Sequence, residues 1–334
     1  MKRIATYMMI VVVLLPLLWA CNDPIPCADC KMHRVVIHLN NTQPAPPLAT
    51  RAIAETLEEE RRINSVQLYI FGSEGNFLQR ITGSGDTFEV ITPAGECMFC
   101  CFVNSPELPA APSSPEELLG CDSYLWNNSR WSFQMVGTAI AKIDSDRELE
   151  IKVKRIVAKV ECVIRTKFAN SHLAGMPFTV HRIYLTNVAG KNNYALTAMQ
   201  GNDGLWYNKM EYRQSSCDEL ICGTHTDRRM FDGDSLLIRE TLYPYPNSNI
   251  DCFDRTLWSA RKTRLVVEAT LGEKLWYYPI TMEKTVANTH YLYDITITRE
   301  GVEHPEMPIT EPGSIETIVK IGKWNEGGEV DDEI

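Results

Sequence analysis

The chain has 334 residues, 44% hydrophobic and 23% charged, a composition that excludes a disordered chain and leaves room for two domains of ordinary size. Its 33 Lys plus Arg stand against 43 Asp plus Glu, a net charge of −10. A phosphate-binding surface needs a positive field, so nucleic acid is disfavoured as a partner.

Met1-Lys2-Arg3 is a short basic region, and Ile4 to Trp19 is an uncharged apolar run ending at Ala20-Cys21. This pattern predicts a secretory signal over residues 1–20. Leu18-Trp19-Ala20-Cys21 resembles a bacterial lipobox, which makes Cys21 the expected lipidation site and acyl chains its modification. Export invites disulfides among the remaining cysteines. Cys27/Cys30 and Cys97/Cys100 each have C-x-x-C spacing. Cys97 to Val103 reads as a buried strand, however, with Cys97 and Cys101 on one face and Cys100 on the other. Inert buried thiols are expected there, not a metal site. Cys217, Cys222 and Cys252 lie in loop-like sequence and are the better disulfide candidates, with connectivity open.

After a tether over 22–31, His33 to Leu39 alternates, with Val35, Ile37 and Leu39 on one face and Arg34 and His38 on the other. The segment 40–50 carries Pro44, Pro46 and Pro47 and is expected to be extended and unpaired. It ends at Thr50-Arg51-Ala52. Ala54 to Arg62 suits a short helical turn with Glu58 and Arg62 at i, i+4. Strands are then expected at Val66–Phe71, in a hairpin with Asn76–Ile81, and at Thr87–Ile91 and Cys97–Val103. A short helix fits Pro115 to Leu119. Further strands are expected at Arg130–Ala139, across Glu148–Arg165, and at Phe178–Val188 and Leu236–Tyr243. The last four are Arg264–Leu271, Lys274–Met282, Thr289–Thr298 and Ile315–Trp324. Tyr243-Pro244-Tyr245-Pro246-Asn247 reads as a rigid turn, and the chain ends in an acidic tail. Short strands with turn signals at this spacing predict an all-β protein of two sandwiches. The expected divisions are 1–20 signal, 21–51 tether, first strand and linker, 52–153 first domain and 154–334 second domain.

No P-loop, G-x-G-x-x-G, H-E-x-x-H or G-x-S-x-G is present, and no two histidines stand in metal-ligand spacing. No catalytic residue, metal or cofactor is expected, and the chain does not read as an enzyme. Asp331-Asp332-Glu333 reads as a solvated tail, and Asp234-Ser235-Leu236 is a short glycosylation-like triplet.

The lipobox cysteine, the single early strand, the linker ending Thr50-Arg51-Ala52-Ile53 and the strand Ser65 to Phe71 come in a distinctive order. So do Arg155-Ile156-Val157-Ala158-Lys159-Val160, the Tyr243 to Asn247 turn, Tyr291 to Arg299 before Gly301, and Ile315 to Trp324. Together they resemble the fimbrillins, the pilin subunits of type V pili in Bacteroides-like bacteria (the FimA type). The resemblance implies two tandem transthyretin-like Greek-key β-sandwich domains. It also implies a lipoprotein precursor at the outer membrane that an arginine-specific protease cuts, giving a cell-surface fimbrium that supports adhesion. Carried onto this chain, the cut falls at Arg51-Ala52, and the discarded strand carries Val35, Ile37 and Leu39. The donated strand carries Ile315, Val319, Ile321 and Trp324 and completes another pilus subunit. Arg61-Arg62 is the rival cut site. The alternatives are an anchor or tip subunit that does not polymerise, and a glycan-binding surface lipoprotein using Trp126, Trp131, Trp206, Trp258 and Trp276 as a stacking platform.

Overall fold

The computed structural model describes residues 31–41, 58–196, 205–208, 219–223, 227–232, 238–248, 262–307, 309 and 315–324. The first half holds β1 (Met32–Asn40), β2 (Val66–Phe71), β3 (Phe77–Gly83), β4 (Thr87–Pro93), β5 (Gly95–Val103), β6 (Asp122–Tyr124), β7 (Met135–Ile143), β8 (Arg147–Lys152) and β9 (Lys154–Arg155). It forms a three-stranded sheet, β4-β1-β8, facing a five-stranded sheet, β3-β2-β5-β7-β9. Next come β10 (Lys159–Thr166), β11 (Phe178–Thr186), β12 (Val188–Ala189), β13 (Lys191–Asn193), β14 (Trp206–Tyr207) and β15 (Arg228–Met230). The chain then adds β16 (Ile238–Leu242), β17 (Arg264–Leu271), β18 (Lys274–Thr281), β19 (Thr289–Ile297) and β20 (Ile315–Lys323). These build two four-stranded sheets, β16-β10-β19-β20 and β15-β11-β17-β18. Among the described residues helix is confined to short pieces such as Pro115–Leu119, whose N-cap Ser114 accepts from the Glu117 N–H.

The burial pattern follows the layering. β4 alternates, with Phe88 and Val90 inward, as a strand does when one face is wet. β2 is buried throughout because the five-stranded sheet is covered on both sides. Val66, Leu68 and Ile70 enter a first core with Val35 and Ile37, while Tyr69 and Phe71 enter a second core with Phe102, Ile156 and Val160. Gln67 survives inside this apolar run because its amide donates to Ser105 Oγ (2.8 Å) and the Pro106 carbonyl (2.7 Å) and accepts from the Leu108 N–H (3.1 Å). Gly137 interrupts β7 where β8 crosses it: an added Cβ would lie 2.6 Å from the Lys152 carbonyl oxygen.

One strand expectation needs correction. Arg130 to Gln134 is not strand, and β7 begins only at Met135. Asn128 Oδ1 accepts from the Gln134 N–H (2.9 Å), and Ser129 and Ser132 bond each other's backbones, so local bonds outcompete the ladder. The run from Glu148 to Arg165, too long for one flat strand, divides into β8, β9 and β10. Val153 donates to the Asn40 carbonyl, Ile156 to Gln134 and Ala158 to Pro244, so the backbone leaves the first pair of sheets and enters the second.

Candidate functional site

β1 is the middle strand of its sheet, and among the described residues no other strand joins its two neighbours. It pairs antiparallel with β4, from Met32↔Pro93 to His38↔Thr87, and parallel with β8, from Val35↔Arg147 to Asn40↔Lys152. Further backbone bonds fix its ends: Ala94 N–H to Lys31 (2.7 Å), Leu39 N–H to Asp86 (2.7 Å) and Val153 N–H to Asn40 (3.0 Å). Val35 and Ile37 are fully buried and Leu39 is 7% exposed, against a floor of Leu68, Phe99, Cys101 and Ile143. Each such side chain contributes about 1.5–3 kcal/mol when fully buried. Arg34 and His38 point outward, Arg34 to Glu89 and His38 to Thr87.

β20 is placed differently. Among the described strands it lies at the edge of its sheet, bonded to β19 alone, from Thr289↔Lys323 to Ile297↔Ile315. Ile315, Val319 and Ile321 face the second core but are only partly covered by it, and Ile318 on the other face is 62% exposed. Its last contact is firmer. Trp324, 4% exposed, lies between Phe133 and Tyr243, with ring centroids 5.6 Å from each.

Trp324 leads to a charged cluster that sequence reasoning missed. Glu60, in the 3₁₀ turn Glu58–Arg61, is buried. Its carboxylate takes an ion pair from Lys159 Nζ (2.9 Å) and hydrogen bonds from Tyr243 Oη (2.6 Å) and Trp324 Nε1 (2.9 Å). The Arg155 guanidinium donates to the Glu60 carbonyl through Nε (2.9 Å) and Nη2 (2.7 Å) and lies 4.6 Å from the Trp324 ring centroid. Burial alone would raise the Glu60 pKa; the Lys159 charge and the three side-chain donors overcome it and hold the carboxyl below its ordinary value. Burial and the adjacent carboxylate push Tyr243 up, so it stays a donor. The sequence did carry one signal: Arg155 and Lys159 flank the apolar Ile156-Val157-Ala158, and cations there require a buried anion.

The same turn bears on the rival cut site. Asn41 Nδ2 donates to the Arg61 carbonyl (2.5 Å), Asn104 Nδ2 to the Arg62 carbonyl (2.8 Å), and the Arg62 guanidinium lies over Trp131. This bonded backbone cannot thread easily into a protease cleft. Cys21, Arg51, Ala52, the signal segment, Cys27, Cys30, Cys217, Cys252, Trp258, the 234–236 triplet and the tail beyond Trp324 lie outside the described residues.

Of the remaining tryptophans, Trp206 is buried in the second core, which removes it from any sugar platform. Trp126 stacks on Tyr124, Trp131 lies under Arg62 and Trp276 under Lys274, each with a different partner. Among the described residues no group of three or more His, Cys, Asp or Glu side chains could hold a metal ion. Cys97 and Cys101 face the first core and Cys100 the second. Burial pushes the Cys100 and Cys101 thiols up to about 12. Both should therefore resist iodoacetamide at pH 8 in the native protein and react only in denaturant, as peptide mapping would show.

No protein-family model and no curated protein matches the chain. Solved structures do. A protein of Bacteroides eggerthii, provisionally described as a cell adhesion protein, superposes with a TM-score of 0.62 at 15% identity, over 88% of this chain and 97% of that one. The fimbrilin (fimA) of Porphyromonas gingivalis W83 gives 0.60 at 13% identity, over 89% and 99%. The tip fimbrial protein Mfa3 of Porphyromonas gingivalis gives 0.53 at 13%, over 88% and 100%. At these identities what is shared is the fold, and it is shared over nearly the full length of each.

Proposed function

We propose that this chain, which has the fold of the fimbrillins, is a non-catalytic structural subunit of a type V pilus. It is exported as a lipoprotein acylated at Cys21, cut after Arg51 and polymerised by exchange of strands. The observation that carries this reading is the contrast between β1 and β20. Among the described strands β1 alone links β4 and β8, so its departure leaves a slot with two unpaired edges and an apolar floor. β20 is an edge strand, so its departure leaves its own sheet intact. Both strands are nine residues long. Ile315, Val319 and Ile321 share one face of β20, as Val35, Ile37 and Leu39 share one face of β1. At home the β20 side chains are half covered; in the slot they would reach the burial of the β1 set, which favours transfer to a second copy. The contact runs head to tail and does not close, so it builds a filament.

In this reading the linker through Arg51 is the protease substrate, and the bonded turn at Arg61-Arg62 is spared. The N-terminal unit is 52–153 and the C-terminal unit 154–334, both transthyretin-like, a division supported to within β9 by the change of strand partners: β9 still pairs with β7, and β10 enters the next sheet. The precursor sits on the outer membrane through its lipid and the mature subunit at the cell surface in a fimbrium serving adhesion. A convincing linker site together with a free edge strand favours a polymerising subunit over an anchor, which would keep its first strand.

The test is to treat the lipid-free precursor with an arginine-specific protease. One main cut after Arg51 is expected, followed by slow growth of ladders that resist denaturant, while Arg51→Ala stays monomeric. A clean cut at Arg51 that leaves monomer, or cutting confined to Arg61 or Arg62, overturns the reading.

A further inference from the structure

The cluster around Glu60 joins three parts of the chain that strand exchange must move relative to one another. Trp324 closes the end of β20, the strand assigned above as the donor. Glu60 lies just downstream of the proposed cut. Lys159 and Arg155 belong to the body that stays, Lys159 opening β10 and Arg155 closing β9. The turn that carries Glu60 is clasped from the departing side as well. Asn41, one residue past β1, donates to the carbonyl of Arg61, the residue next to Glu60. Trp324 is clasped a second time through its backbone, which donates to the Asn288 carbonyl (3.1 Å), while Asn288 Oδ1 accepts from the Arg155 N–H (3.2 Å).

We propose that the Glu60 cluster is a latch that holds β20 in its own sheet, and that loss of β1 loosens it by removing the Asn41 clasp. The partly covered side chains of β20 give weak retention, and an edge strand has a ladder on one side only. Retention therefore concentrates at Trp324. The indole N–H reaches the carboxylate only while the Glu58–Arg61 turn holds Glu60 in place. Besides the donors on the Glu60 carboxylate, three side chains among the described residues tie the backbone here: Arg155 on the Glu60 carbonyl, Asn104 on the Arg62 carbonyl, and Asn41 on the Arg61 carbonyl. Of these three, the Asn41 bond leaves when residues up to Arg51 are removed, and the other two stay. Opening of the acceptor slot and release of the donor strand are thereby coupled within one subunit, and an uncut precursor does not donate. The coupling to assembly rests on the function proposed above; the latch itself does not.

Hydrogen exchange on the uncut chain tests it without any polymerisation. Trp324→Phe keeps a ring in the core and removes the N–H; Asn41→Ala removes the clasp. In both, the β20 amides bonded to β19 should exchange roughly tenfold faster, the equivalent of one lost hydrogen bond. The β11 and β17 amides of the other sheet should keep their wild-type rates. Unchanged β20 exchange in either variant overturns the proposal, and so does a rise shared equally by β11 and β17. If wild-type chain cut at Arg51 never polymerises, the assembly reading fails while the exchange result stands on its own.

Discussion

Replacing Ile37 with aspartate is expected to unfold the first core in the uncut chain. Ile37 is fully buried at the centre of β1, opposite Phe88 on one side and Leu149 on the other. The change removes about 2–3 kcal/mol of apolar burial. It also sets a carboxylate into a core whose described lining of Leu68, Phe99, Cys101 and Ile143 offers it no cation. The total exceeds ~4 kcal/mol, a large share of the 5–15 kcal/mol that holds a typical domain. Because β1 alone among the described strands joins β4 to β8, the sheet cannot survive as a pair. His38→Ser, on the exposed face of the same strand, should stay within ~0.5 kcal/mol. Thermal melts followed by near-UV circular dichroism separate the two. An Ile37→Asp chain that melts like wild type would show that β1 does not hold the sheet. The proposed maturation adds a second expectation: the defect leaves with residues 1–51, so filaments grown from the cut variant should match wild-type filaments in resistance to denaturant.

How much of this was legible in the sequence depends on the range of the forces involved. β1 and β4 show alternation because one face is wet, and that pattern needs only the strand itself. β2 reads as a continuous apolar run because it is covered twice, and Gln67 inside it is explained only by the 105–108 loop that satisfies it. The turn residues around Asn128 concealed the start of β7, since short polar side chains offer the backbone a local partner that hydrophobic periodicity does not register. Glu60 was hidden in an acidic run that looks solvated, and its partner Trp324 lies 264 residues away. No spacing rule covers such a distance. Trp324 itself was legible as an apolar terminal residue, but not as the end that is anchored.

The cost of dismantling the Glu60 cluster should depend on which charge is removed. Glu60 carries the carboxylate, while Lys159 and Arg155 are both cations with almost no exposure. Glu60→Leu leaves Lys159 buried without its carboxylate and takes the anion's field from Arg155, whose bonds to the Glu60 backbone carbonyl remain, a change on the order of 3–5 kcal/mol. Lys159→Met leaves Glu60 with Arg155 nearby and with hydrogen bonds from Tyr243 and Trp324, so it should cost less, about 1–3 kcal/mol. The sign of the pH dependence follows from the lowered Glu60 pKa. Its contribution is fully present above the unfolded carboxyl value of about 4.3. It is lost as pH falls through the still lower folded value, because the unfolded chain takes up the proton first. Urea titrations should therefore show wild type losing stability on acidification below about pH 4.3 more steeply than Glu60→Gln, which has no proton to take up at that position. At pH 7 the order of midpoints should be wild type, then Lys159→Met, then Glu60→Leu. Equal midpoints for the two variants would mean that the buried anion, with its three side-chain donors, is not what balances the two cations.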